Sequence, residues 1–316
     1  MKDKQKQQKL PGPKTISIHH GKSFSEETGC VMPPIFATST FVHGNKGDFD
    51  YTRSGNPNFQ ILERILKRIE DAKFCTAFNS GISAVTAIAS SLKSGDKILC
   101  ESNLYGCTVR LFEEVFKKFG INIFYIDFTS KGYKEAILKI NPNLIWLESP
   151  TNPLLKILNI SEICKIANDN KIDVVVDNTF STALIQKPLE LGATISMMST
   201  TKFINGHSDA LGGAVLTNNK EWNQKMIFAQ KSLGLNPSPF DSWLITRGLK
   251  TLPLRIKEQT QNAENIVEEL SSNALILKLI YPFNTSHPQY NLAKAQMKMG
   301  GSIITMKLDL NKDKTF

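Results

Sequence analysis

Residues 171–178 read KIDVVVDN. Three consecutive valines form a β-branched run with no polar alternation. Runs of that kind are strands buried on both faces, as in parallel sheets covered by helices. The stretch ends on two polar residues, Asp177 and Asn178. An aspartate at the end of a buried strand is costly unless it meets a cation.

Working outward, the same pattern repeats. DKILCE (96–101), INIFYID (121–127) and NLIWLE (143–148) read as strands. TVRLFEEVFKKF (108–119), KGYKEAILKI and SEICKIANDN between them read as helices. Strand–helix alternation with right-handed crossovers predicts an open α/β sheet that binds ligands at the carboxyl ends of its strands. Upstream, NFQILERILKRIED (58–71) places Ile61, Leu62, Ile65, Leu66 and Ile69 at helical spacing. From Asp241 a long helical pattern runs toward Leu270, with Pro253 predicted to kink it. Residues 1–14 read as a disordered arm, and 15–47 as extended pieces without a helical period.

Three strand ends carry polar residues. Ser149, Pro150, Thr151, Asn152 and Pro153 follow the first, and Asp177 and Asn178 the second. Ser199, Thr200, Thr201 and Lys202 close ISMMSTTK. Tyr105 and Gly106 follow the strand near residue 100. A lysine titrates near ~10.4 in water, and burial beside hydroxyls is expected to lower that and make the amine a nucleophile. FCTAFNSGISAVTAIASSL (74–92) reads as a strand, a glycine turn and a helix. Its Ser80, Gly81 and Ile82 are candidate anion ligands through free helix N-terminal N–H groups, although a Ser-Gly pair also serves as a plain N-cap. A lysine for an aldehyde and a carboxylate for a ring nitrogen are what pyridoxal phosphate (PLP) requires.

The formal charge is +9, with 41% hydrophobic and 21% charged residues. The lysines are scattered apart from the tail MKDKQKQQK, and no basic stripe interleaves with aromatics, which argues against nucleic acid. No apolar run reaches the ~18 residues that span a bilayer. The five cysteines form no CxxC and no metal-ligand spacing, and read as thiols of a reducing cytoplasm. His19, His20 and His43 receive no role.

The motifs YTRSGNP, NSGISA, LYGCT, ESPTNP, VVVDNTFST, STTKFINGHSD and SWLITRGLKTLPLR together resemble the pyridoxal-phosphate enzymes of cysteine and methionine metabolism. That group includes cystathionine γ-synthase, the cystathionine β- and γ-lyases and methionine γ-lyase. The resemblance implies a fold-type I architecture: an α/β unit with a mostly parallel open sheet and helices on both faces, plus a smaller α+β unit. It divides the chain into an N-terminal arm (1–47), a large cofactor domain (48–243) and an incomplete C-terminal domain (244–316).

It also implies residue roles. Lys202 joins the cofactor aldehyde and shuttles protons, Asp177 pairs with the ring nitrogen, and Tyr105 stacks on the ring. Gly81 and Ile82 give backbone N–H groups to the phosphate, Ile82 standing where the family usually has methionine. Ser199 and Thr201 add hydroxyls, and Asn152 lies near the phenolic oxygen. Tyr51 and Arg53 reach the phosphate of a neighbouring subunit, which implies a dimer sharing its sites and a homotetramer. The family supplies an arginine for the substrate carboxylate in an R-x-S-x-G setting, which is not found before Phe316. A truncated product, with apolar faces exposed, is therefore one expectation. The motifs fit a γ-synthase best, acting on an activated homoserine ester with cysteine, and leave open the lyases or an inactive cofactor-binding partner of an intact paralogue. Cys107 within LYGCT is shared with methionine γ-lyases, or is a small packing residue.

Overall fold

The computed structural model describes residues 11–19 and 29–309. Residues 1–10, on which most of the disordered-arm expectation falls, lie outside that range, as do His20 and 310–316.

Helix α1 (Pro13–His19) comes first. It corrects the extended reading of TISIHH: β-branched Thr and Ile lower helix propensity, but Pro13 starts a turn, and Ile16 and Ser17 are buried where α1 packs against later helices. Helix α2 (Pro57–Glu70) buries all five positions of the helical stripe. Asn56 caps it by accepting from Asn58 N–H, and Pro57 occupies its first turn.

The strands and helices then alternate. They are β1 (Phe74–Phe78), α3 (Gly81–Ala89), β2 (Lys97–Glu101), α4 (Gly106–Glu114), β3 (Asn122–Ile126), α5 (Tyr133–Ile140), β4 (Leu144–Glu148), α6 (Ile160–Asp169), β5 (Asp173–Asp177), α7 (Thr182–Ile185), β6 (Ile195–Ser199), β7 (Gly213–Thr217) and α8 (Lys220–Ser232). Seven strands form one sheet in the order β1-β7-β6-β5-β4-β2-β3. Neighbours from β6 through β3 run parallel, whereas β7 is antiparallel to both β6 and β1.

Both faces are covered. Along β4, Leu144 and Trp146 join one apolar cluster with α3 and α4, and Ile145 and Leu147 join another with α5 and α6. Phe112 meets the Trp146 ring edge-on at 5.3 Å. Such two-sided burial explains why β4 and β5 read as continuous apolar runs.

Helices α9 (Pro239–Leu249) and α10 (Leu252–Leu270) replace the single kinked helix expected after Asp241. Pro253 sits in the first turn of α10, where its missing N–H costs nothing, so it starts a helix rather than bending one. Ile245, Leu249, Leu252 and Ile256 share a core with α2. Strands β8 (Ile276–Ile280) and β9 (Thr305–Leu308) pair antiparallel and flank α11 (Tyr290–Gln296). Leu277, Met306 and Leu308 on this small sheet are exposed. His287 Nε2 donates to Leu155 O at 3.0 Å while its Nδ1 accepts from Gln289 N–H, tying this part to the loop after β4.

Candidate active site

The carboxyl ends of β4, β5 and β6 open into a cavity of about 1200 Å³. Ser80, Gly81, Ile82, Tyr105, Glu148, Asn152, Asp177, Ser199, Thr201 and Lys202 line it. Every candidate from the sequence is brought there except Tyr51 and Arg53. Those two lie elsewhere on the chain: the Arg53 guanidinium sits 5.4 Å above the Tyr51 ring, and its Nη1 donates to Lys231 O at 3.0 Å.

Lys202 lies in the turn after β6, where its N–H meets Ser199 O at 3.4 Å and its carbonyl accepts from Gly206 N–H at 2.8 Å. The burial expected for it is not found in the single chain. Strand β6 ends at Ser199, so Lys202 already belongs to the connecting loop and stands exposed at the cavity.

One wall of the cavity carries free N–H groups and hydroxyls, donors that suit an anion. Ser80 caps α3, its Oγ accepting from Ser83 N–H at 3.1 Å, which leaves the first-turn N–H groups of Gly81 and Ile82 without helical partners. A β-carbon on Gly81 would lie 2.7 Å from Ser199 Cβ, and one on Gly213 would collide with Ser80 O. Two glycines thus bring helix N-terminus, β6 and β7 into backbone contact. The Thr201 Oγ1 hydroxyl donates to Gly212 O at 3.2 Å and accepts from Gly212 N–H at 3.0 Å.

Asp177 ends β5 and is buried. Its Oδ1 accepts from the Thr179 N–H at 3.0 Å and hydroxyl at 2.6 Å. Burial raises its pKa above the ordinary value, and the two Thr179 bonds oppose that. Thr179 Oγ1 also accepts from Ser199 N–H at 2.9 Å, joining β5 to β6 above the sheet. Tyr105, half-exposed at the start of α4, is harder to ionise than a free tyrosine, chiefly through its hydrogen bond to Cys107.

Three residues of the site escaped the sequence reading. Glu148 ends an apolar run just as Asp177 does, and that shared signal could have found it. Thr179 carries the weaker signal of a hydroxyl two residues after an aspartate. Arg255, on α10, donates from Nη1 to Phe203 O at 2.8 Å and from Nη2 to Ile204 O at 3.2 Å and Gly248 O at 2.9 Å. It fixes the loop that follows Lys202, and nothing local in its own sequence points there.

The residues fit pyridoxal phosphate. Free N–H groups with hydroxyls suit a phosphate, a buried carboxylate held by neutral donors suits a cationic ring nitrogen, and a lysine faces the same space. The comparisons agree. The family model described as "Cys/Met metabolism PLP-dependent enzyme" matches residues 14–316. A probable cystathionine gamma-synthase of Herpetosiphon aurantiacus is 41% identical over 297 residues, covering 93% of this chain and 93% of the relative. Human cystathionine gamma-lyase is 41% identical over 287 residues, covering 89% and 71%. The crystal structure of cystathionine gamma synthase from Xanthomonas oryzae pv. oryzae, in complex with aminoacrylate and cysteine, superposes with a TM-score of 0.93 at 34% identity, over 96% of this chain and 80% of that one. The chain belongs to the PLP-dependent enzymes of cysteine and methionine metabolism.

Proposed function

We propose that this chain is a cystathionine γ-synthase, exchanging the ester group of an activated homoserine for the thiol of cysteine. The observation that carries the reading is the convergence of Lys202, Asp177, Tyr105 and the α3 N-terminus on one cavity. The choice of synthase rests on the Herpetosiphon and Xanthomonas similarities. A γ-lyase is the second reading, because the human γ-lyase is equally identical.

In this proposal the α3 N–H groups of Gly81 and Ile82, with the Ser199 and Thr201 hydroxyls, hold the phosphate. Asp177 keeps a proton on the ring nitrogen, Tyr105 covers the ring, and Asn152 borders its phenolic oxygen. When bound, the cofactor supplies an aldehyde for the substrate amine and a cationic ring that withdraws electrons from the substrate carbon. With the cofactor bound, Lys202 Nζ would hold its aldehyde at rest and, once freed by the substrate amine, would take the proton at Cα, hand it on within the site, and so be free to take a second at Cβ before the γ-substituent leaves. General-base catalysis of this kind contributes about 10²–10⁴-fold. Tyr51 and Arg53, outside the cavity of their own chain, serve the phosphate of a second copy in a dimer that shares its sites and pairs into a tetramer. The five thiols suit a cytoplasmic enzyme.

The test is a product assay of the purified protein with its Lys202→Ala variant as control. Cysteine plus an O-acylated homoserine should give cystathionine. Release of 2-oxobutyrate from cystathionine instead would select the γ-lyase, and pyruvate a β-lyase. Lys202→Ala should lose both turnover and the visible absorption of the lysine Schiff base; full activity in that variant would remove the proposal.

A further inference from the structure

Glu148 is the last residue of β4, beside Asp177 on β5, in direct register. Both its carboxylate oxygens are used. Oε2 accepts from Tyr105 N–H at 2.9 Å, and Oε1 accepts from Asn152 N–H at 2.6 Å. One buried side chain thus fixes the backbone at two separate wall residues of the cavity, one at the start of α4 and one in the loop after β4.

Two carboxylates side by side under low-dielectric cover repel each other unless a cation joins them. Burial, then the Asp177 charge, push Glu148 up to about 8, while the Tyr105 and Asn152 bonds pull it down. Other charged groups face the pair. Glu101 on β2 adds repulsion at Glu148, itself neutralised by Lys156 at 3.2 Å. The Tyr105 hydroxyl and Lys202 border the same space. A cation placed against Asp177 would relieve the repulsion and return Glu148 to the charged form that its two N–H donors prefer.

We propose that Glu148 is a positioning residue with two separable jobs: its two oxygens hold Tyr105 and Asn152 in place, and its charge beside Asp177 strengthens the hold on a cationic ring. The second job rests on the PLP reading above; the first does not.

Two variants separate the jobs. Glu148→Gln removes the charge and turns one acceptor into a donor facing an N–H. Glu148→Asp keeps the charge but is one methylene too short to reach both N–H groups. Amide hydrogen exchange on the cofactor-free protein should speed up about tenfold at Tyr105 or Asn152 in each variant, one of the two N–H groups having lost its acceptor oxygen. In the loaded protein, the pH midpoint of the visible cofactor band should fall by about one unit in Glu148→Gln and stay near the wild-type value in Glu148→Asp. Thermal melts identify any variant that fails to fold, and Glu148→Asp then carries the exchange measurement alone. Unchanged exchange at both amides overturns the clamp, and an unchanged midpoint in Glu148→Gln overturns the electrostatic job. Wild-type protein that takes up no PLP would instead sink the cofactor reading and leave the exchange result standing.

Discussion

Gly81 and Ser199 face each other so closely that a β-carbon on Gly81 would stand 2.9 Å from the Ser199 hydroxyl oxygen. The contact brings a helix N-terminus and a hydroxyl together on one wall of the cavity. Gly81→Ala should force the two apart, at a cost of about 1–3 kcal/mol for overpacking. PLP affinity, read by absorbance titration, is expected to fall at least about tenfold while the far-UV circular dichroism is retained.

Arg255 presents its planar fork to a row of carbonyls after Lys202. Lysine has the charge but not the fork. Arg255→Lys should therefore lower stability by at least about 1.5 kcal/mol. Urea unfolding measures that loss, and faster amide exchange across residues 203–206 would locate it in the lysine loop.

Thr179 ties Asp177 to Ser199 through one hydroxyl. Thr179→Val keeps the shape and removes both bonds. Asp177 then loses one of the two bonds that favour its charged form, so its proton affinity rises further. Turnover is expected to fall most on the acid side, where a protonated Asp177 no longer serves the ring nitrogen, and a pH–rate profile would show the acid limb moving upward.

Glu70, at the end of α2, is buried with neither oxygen in hydrogen-bond geometry, and burial raises it from 4.5 to about 8. A raised carboxyl contributes stability that is fully present below the unfolded value of 4.5 and lost as pH rises through about 8. The wild type should therefore lose stability relative to Glu70→Gln between about pH 5 and pH 9. Urea midpoints for both proteins across that range check the slope. Glu63, raised to about 7 by burial, leaves a smaller slope of the same sign in the variant.

Arg53→Ala and Lys202→Ala subunits, mixed and refolded together, should regain part of the activity, since in the mixed dimer the site that keeps Lys202 receives the intact Arg53 of the other copy. Mixed dimers verified by mass and still inactive would show that Arg53 does not serve a partner.

The sheet was legible because β4 and β5 are apolar without interruption, which only a doubly covered strand tolerates, and the stripe on α2 was legible from its period. Asp177 was legible because a charged residue at the end of such a run has no structural excuse, and Lys202 from the hydroxyls and glycines around it rather than from the burial expected of it. Helix α1 was not, since its seven residues hold a single buried apolar position, Ile16, too few to show a period. The break before α10 was missed because Pro253 reads alike as a kink or a first turn until the neighbouring loop is seen. Arg255 acts on a carbonyl 52 residues away in sequence, and no spacing rule reaches that distance, whereas Glu148 stood at the end of an apolar run as Asp177 does and was passed over.

The antiparallel strand β7 sets an order of events during synthesis. Among the described residues strand β1 pairs with β7 and with no other strand, and the whole of β2–β6 is translated between them. The nascent chain must therefore carry FCTAF unpaired until Gly213–Thr217 has left the ribosome, and closing so long a loop slows folding. Gly213 is also the residue that meets Ser80. The junction of Ser80 with β7 therefore closes only once β7 has been made, late in the assembly of the sheet.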